Sequence, residues 1–127
     1  MTAAATVTPL RVPDDVPRYS DEALALQFTG RHAAELRYVA ALGKWLLWDG
    51  THWQYEDTLR AFDFARTLCR QVSAQVPPKW KRIAAGVASA RTVAAVERLA
   101  RADRRHASSI IDWDLDDWLF NSPATTE

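Results

Sequence analysis

The chain holds a single cysteine, Cys69, in 127 residues. A lone thiol excludes an intramolecular disulfide and a cysteine-built zinc site. It fits a reducing compartment, the cytoplasm. No stretch approaches the ~18 consecutive apolar residues that cross a bilayer, so no membrane partner is expected. The N-terminus lacks a basic region followed by an apolar run, which argues against a secretory signal. There are no internal repeats and no low-complexity tracts. Formal net charge is zero, so the whole-chain balance argues neither for nor against nucleic acid.

Catalytic constellations are missing as well. Gly43-Lys44 lacks the upstream glycine and the following Ser or Thr of a phosphate-binding loop. His32, His52 and His106 are scattered, with no i,i+4 pair to grip a metal. No Gly-x-Ser-x-Gly elbow occurs, and Cys69 has no partner base in sight. Asp112, Asp114, Asp116 and Asp117 alternate acids as a cation loop would. An EF-hand, however, needs glycine at the sixth position, where Asp117 stands, and glutamate at the twelfth, where Pro123 stands. An isolated acidic cluster reads more simply as a solvated face or a helix start. No enzyme, metal or cofactor is expected.

What is present begins with length and apolar content, 48 % hydrophobic, enough for one domain with a real core. Gly43 to Trp53 sets Trp45, Trp48 and Trp53 around Asp49-Gly50. Asp-Gly between aromatic flanks is a strong hairpin signal: glycine tolerates positive φ and aspartate bonds its own backbone. Arg37–Trp48 therefore reads as extended, and Trp53–Tyr55 as the return strand. Residues 1–19 hold Pro9, Pro13 and Pro17 and read as an extended lead-in. Ser20 followed by Asp21 and Glu22 starts a helix that runs to about Glu35. Asp57 or Thr58 caps a second, from Leu59 to about Ala74. Its stripe is Phe62, Ala65, Cys69, Val72 and Val76. Pro77-Pro78 ends it. A short helix over Lys79–Ala88 breaks near Gly86. Ser89 caps another from Ala90 to about Asp103, and Ile110–Phe120 reads as a short helix and then a strand. The expected fold is mainly α, within the α+β class: four to five helices with one Trp-rich β-hairpin. It forms a single domain over 20–121, with a loose end at 122–127. The expected core is Leu24, Phe28, Tyr38, Val39, Trp45, Trp48, Phe62, Cys69, Val72, Val93, Val96 and Leu99.

The neutral total hides a segregation of charge. Residues 79–105 carry eight basic and two acidic residues, while 106–127 carry no basic and five acidic ones. On the last long helix Val93, Val96, Leu99 and Ala100 form one face. Arg91, Arg98, Arg101 and Arg105 recur on the opposite one. Lys79, Trp80, Lys81 and Arg82 add cations beside an aromatic. Phosphates are met by such cations and unpaired bases by such rings. The candidate nucleic-acid residues are thus Lys79, Trp80, Lys81, Arg82, Arg91, Arg98, Arg101 and Arg105. The competing reading is a solvated helix face. Trp45, Trp48, Trp53, Trp113 and Trp118 are candidate protein-docking residues, since aromatics anchor interfaces; filling the core is the alternative for the hairpin tryptophans.

The order of residues also resembles a known family. It runs from Ser20-Asp21 through Leu36-Arg37-Tyr38-Val39, Gly43-Lys44-Trp45-Leu46-Leu47-Trp48-Asp49-Gly50 and Trp53. It continues with Phe62-Asp63, Ala65-Arg66, Cys69-Arg70, Thr92-Val93 and Ala95-Val96-Glu97, and ends in Trp113-Asp114, Asp116, Trp118-Leu119 and Asn121-Ser122-Pro123. This series resembles the helical domain of phage and plasmid primase-helicases, related to that of poxvirus primase-helicase. In that family the domain lies between a primase and a superfamily-three helicase. The resemblance implies a replication role on mobile-element DNA in a bacterial host cell. It also implies primase and ATPase motifs upstream and downstream of any such domain, and neither set occurs in these 127 residues. Two readings follow. One is a non-catalytic accessory domain that positions single-stranded or forked DNA or makes subunit contacts. The other is a free-standing phage-encoded protein-binding module, an adaptor or inhibitor of a host or defence complex.

Overall fold

A computed structural model describes residues 16–111. Among these residues, four α-helices and a four-stranded mixed sheet make an α+β domain, as expected. The tail reading beyond residue 111 and the acids from Asp112 onward, with Trp113 and Trp118, lie outside the described residues.

Helix α1 spans Asp21–His32. Ser20 caps it, its hydroxyl accepting from the Ala23 N–H at 3.1 Å, with Asp21 and Glu22 in the first turn and Arg31 and His32 in the last. Both charge placements complement the helix dipole. The helix stops three residues short of Glu35 because that residue's carbonyl is taken by the sheet, accepting from Trp48 N–H at 2.9 Å. The chain then enters β1, Leu36–Val39.

The expected continuous extended run is in fact two strands, β1 and β2 (Lys44–Trp48), paired antiparallel. Gly43 makes the turn between them. At φ +65° its N–H reaches back to the Val39 carbonyl at 2.9 Å, a conformation glycine enters without steric cost. The Asp49-Gly50 hairpin stands as read, joining β2 to β3 (Trp53–Tyr55). The Asp49 carboxylate accepts from the Thr51 and His52 N–H groups at 2.8 and 2.9 Å. The His52 and then the Thr51 backbone bonds hold its pKa down at about 2. A short strand β4, Ala107–Ser108, adds in parallel to β1 and completes the order β3-β2-β1-β4.

Helix α2 spans Arg60–Gln75. Neither Asp57 nor Thr58 caps it. The Glu56 carboxylate does, accepting from Arg60 N–H at 2.8 Å and Ala61 N–H at 3.3 Å. Burial works against its charge, yet these backbone donors and those of Thr58 prevail and lower its pKa. To bring Glu56 beneath the helix end, Leu59 adopts the left-handed region at φ 61° and ψ 30°. A bulky side chain is rare there, and the conformation costs about 1–2 kcal/mol. Leu59→Gly should therefore raise stability by a few tenths to about 1 kcal/mol. A lower melting temperature for this variant would mean that the Leu59 side chain contributes more than its backbone costs.

Pro77 holds Val76 extended at ψ 134° and ends α2. A 3-10 turn over Pro78–Trp80 leads into α3, Lys81–Val87, whose last turn accommodates Gly86. Ser73 on α2 donates to the Ala84 carbonyl at 2.8 Å, tying the two helices together. Ser89 caps α4, Ala90–Arg101, as expected, accepting from Thr92 N–H at 3.2 Å.

One main core forms where α1, α2 and α4 meet the inner face of the sheet. Leu24, Phe28, Leu36, Leu68, Cys69 and Val96 are fully buried in it. Burial, with Asp21 as a lesser cause, pushes the Cys69 thiol up to about 11, so it is a core residue and not a nucleophile. Two expected core members are exposed instead: Trp48 and Leu99, each 40 % accessible. Trp48 points to the outer side of the sheet, and Leu99 lies at the edge of the buried stripe of α4, where Glu97 takes the interior place. Phe62 is partly buried at the margin of the core.

Candidate nucleic-acid interface

The basic block separates into two sets. Lys79, Lys81, Arg82, Arg91 and Arg98 are exposed, and no ion pair among the described residues engages them. Lys79 lies over the Trp80 ring at 5.4 Å, and that ring is 40 % accessible. Arg91 and Arg98, seven residues apart, share the solvent face of α4. The 3-10 turn and the first turn of α3 carry the rest.

Arg101 and Arg105, in contrast, are committed to partners. Arg101 forks onto Glu97 at 2.8 and 3.0 Å and lies over the Tyr38 ring at 4.9 Å. The Glu97 bond raises its pKa against the opposing effect of burial. Glu97, 7 % accessible, also accepts from Trp45 Nε1 at 2.6 Å, and the Trp45 ring meets Tyr38 edge-on at 5.1 Å. Trp45, Glu97, Arg101 and Tyr38 thus close a loop of contacts joining β1, β2 and α4. They line one side of a cleft of about 490 Å³ whose other walls include Lys44, Glu56, Leu59 and Phe62. Arg105 forks onto Asp103 at 2.9 and 2.8 Å. That bond lowers the Asp103 pKa and raises that of Arg105. The helical-wheel pattern placed these arginines with Arg91 and Arg98 because it registers angle and not the local acids.

Trp45 is a core residue. Trp48 and Trp53 are on the outer face of the sheet, their rings 5.4 Å apart. Arg66 and Arg70 of α2 line a shallow depression together with Ala88 and Val93; Arg66 is 3.5 Å from Asp63 in an exposed ion pair. Their signal was the modest basic excess of residues 59–78, which needed the packing of α2 against α4 to acquire a location.

His106 was read as scattered and is fully buried. It packs edge-on against Phe28 and Trp45 at 5.8 and 5.3 Å. Nδ1 is 2.9 Å from the Leu36 carbonyl, and its own carbonyl accepts from Tyr38 N–H at 2.8 Å. It pins β4 to β1. Burial lowers its pKa, so it is neutral near pH 7.

Among the described residues no group of three or more His, Cys, Asp or Glu side chains could hold a metal ion, and no helix is long and apolar enough to cross a membrane. Asp112, Asp114 and Asp116 lie outside the described residues.

A helix-rich α+β domain with an exposed cationic face is the class of protein these features define. The family model described as D5 N terminal like matches residues 25–126. The chain belongs to that family, the domain that precedes the helicase in phage and plasmid primase-helicases. No curated protein matches the chain, and no solved structure does.

Proposed function

We propose that the chain is a non-catalytic accessory domain of a phage or plasmid primase-helicase, one that positions a DNA strand beside the helicase in the host cytoplasm. One observation carries the reading: Lys79, Lys81, Arg82, Arg91 and Arg98 are exposed cations that no ion pair among the described residues neutralises. Cations already paired gain little from a phosphate. Unpaired ones release counterions from DNA when they meet it. Membership of a replication-linked family supplies the context. Trp80 beside Lys79 provides a ring for an unpaired base. Arg101 and Arg105 drop out of the contact set because Glu97 and Asp103 hold them.

Replacing Arg91 and Arg98 together by Ala tests this. Both are exposed, so the melting temperature should stay put. Affinity for a single-stranded oligonucleotide should fall, and the slope of log K against log salt should flatten by roughly 1.4, at ~0.7 per phosphate contact. An unchanged slope would remove α4 from the contact surface.

A second reading, subunit or partner contact, draws on Leu59. It is 75 % accessible, held in a strained conformation, and forms part of both the cleft by Trp45 and a second depression with Phe62 and Arg66. Strained, exposed apolar residues gather at functional sites. A contact through Leu59 would be nearly insensitive to salt.

A further inference from the structure

The sheet has two unlike faces. Strand alternation sends Leu36, Tyr38 and Trp45 toward the helices. It sends Arg37, Lys44, Trp48, Trp53 and Tyr55 to the other side, where the pairings Trp48↔Trp53 and Leu46↔Tyr55 set the rings in adjacent rows. The small cluster beneath them, Val39 and Leu46 with Leu42 and Trp53, is built from the sheet and its turn alone. No helix contributes to it.

The chemistry of this outer face is specific. Arg37 lies over the Trp53 ring at 5.1 Å and Lys44 over the Tyr55 ring at 5.6 Å. Arg37 is fixed there by donating to the carbonyls of Ala33 and Leu36. Trp48 and Tyr55 remain 40 % and 42 % accessible. No outward strand position carries an acid. Of the flanking carboxylates, Asp49 and Glu56, on either side of β3, are engaged by backbone N–H groups, and Glu35, before β1, by His32.

We propose that this outer face is a base-stacking surface for single-stranded DNA, with Trp48 and Tyr55 as the stacking rings and Lys44 and Arg37 as the phosphate contacts. Rings interleaved with cations and free of carboxylates match a polyanion whose bases expose flat faces. A sheet presenting aromatics is a common platform for splayed bases. Trp48 and Tyr55 are diagonal neighbours on paired strands, about 7–8 Å apart, within reach of neighbouring nucleotides of an extended strand. Duplex DNA, with its bases stacked internally, offers these rings nothing. The inference rests on the DNA reading above but assigns a surface separate from α3 and α4.

The test is an anisotropy titration of the full chain with a labelled oligo-dT at about 50 and 200 mM salt. It is run on the wild type, on Trp48→Ala/Tyr55→Ala and on Arg91→Ala/Arg98→Ala. Stacking is worth at least about fivefold per base. The ring variant should therefore lose tenfold or more in affinity at both salt concentrations, with an unchanged salt slope and an unchanged circular-dichroism spectrum. Lys44→Ala should instead flatten the slope. A ring variant that binds like wild type while the arginine variant is impaired overturns this proposal and leaves the DNA reading standing. A wild-type chain that does not bind at either salt overturns both. Unchanged DNA binding combined with loss of self-association or of a protein partner in the ring variant would make this face a protein-docking surface and overturn the proposal.

Discussion

Phe28→Ala should destabilise the domain by about 3–5 kcal/mol, the usual cost of emptying a fully buried phenylalanine site. Phe28 is 0 % accessible and connects the parts of the fold. Its ring lies 5.0 Å from that of His32 on its own helix, 6.3 Å from Trp45 on β2 and 5.8 Å from His106 before β4. None of these rings can collapse into the space left behind, because each is held elsewhere: His32 stacks on Phe64 at 4.3 Å, Trp45 is bonded to Glu97 and His106 to Leu36. A domain of this size has about 5–15 kcal/mol in hand. The substitution should therefore remove a large part of it, seen as a displaced midpoint in urea. Leu99→Asp should still give a folded protein, since Leu99 is at the rim. An unfolded Leu99→Asp chain beside a stable Phe28→Ala chain would reverse the assignment of the core.

Glu97→Ala should cost about 2–3 kcal/mol. The change strands the buried Trp45 N–H, which costs about 1–3 kcal/mol by itself. It also removes the carboxylate onto which Arg101 forks. The Arg101 side chain is 38 % accessible, so water recovers part of that loss and the full penalty of a broken buried pair does not apply. Glu97→Gln should do less harm, since its side-chain oxygen can still accept from the indole. The comparison is a pair of denaturation curves. Equal losses for Ala and Gln would show that the negative charge, and not the indole bond, matters. No loss in either would show that the Trp45–Glu97–Arg101 chain is incidental to stability.

Much of the fold was legible in the sequence because local chemistry decided it. Ser20 and Ser89 cap helices through their hydroxyls, Asp49-Gly50 turns a hairpin, and Pro77 stops α2. Each signal acts within a few residues. What escaped depends on partners distant in the chain. Glu97 stands on what the wheel shows as the edge of an apolar stripe, and only the approach of Trp45, 52 residues away, makes its burial tolerable. His106 gains its place from Phe28 and Leu36. Gly43 was a local signal misread: the run around it is rich in strand-forming residues, so one long strand was expected where a turn divides two. The capping of α2 by Glu56 hid behind the more usual Asp57 and Thr58, which prevail in most helices but here are bypassed by the left-handed Leu59.

The same limit governs the candidate site. The cations were legible as a block, but which of them are free was not. Arg101 and Arg105 belong to the same sequence pattern as Arg91 and Arg98 and differ only in having Glu97 and Asp103 within reach. The hairpin tryptophans divided for a related reason. Strand alternation sends Trp45 inward and Trp48 outward, because an odd separation of three residues in a period of two reverses the face.

The most direct test of the account is the titration of the intact chain with labelled oligo-dT and with a duplex of equal length, at about 50 and 200 mM salt. Contact by several unpaired cations predicts micromolar binding at the lower salt that weakens steeply at the higher, with the single strand preferred. No binding to either DNA at about 50 mM salt would contradict it.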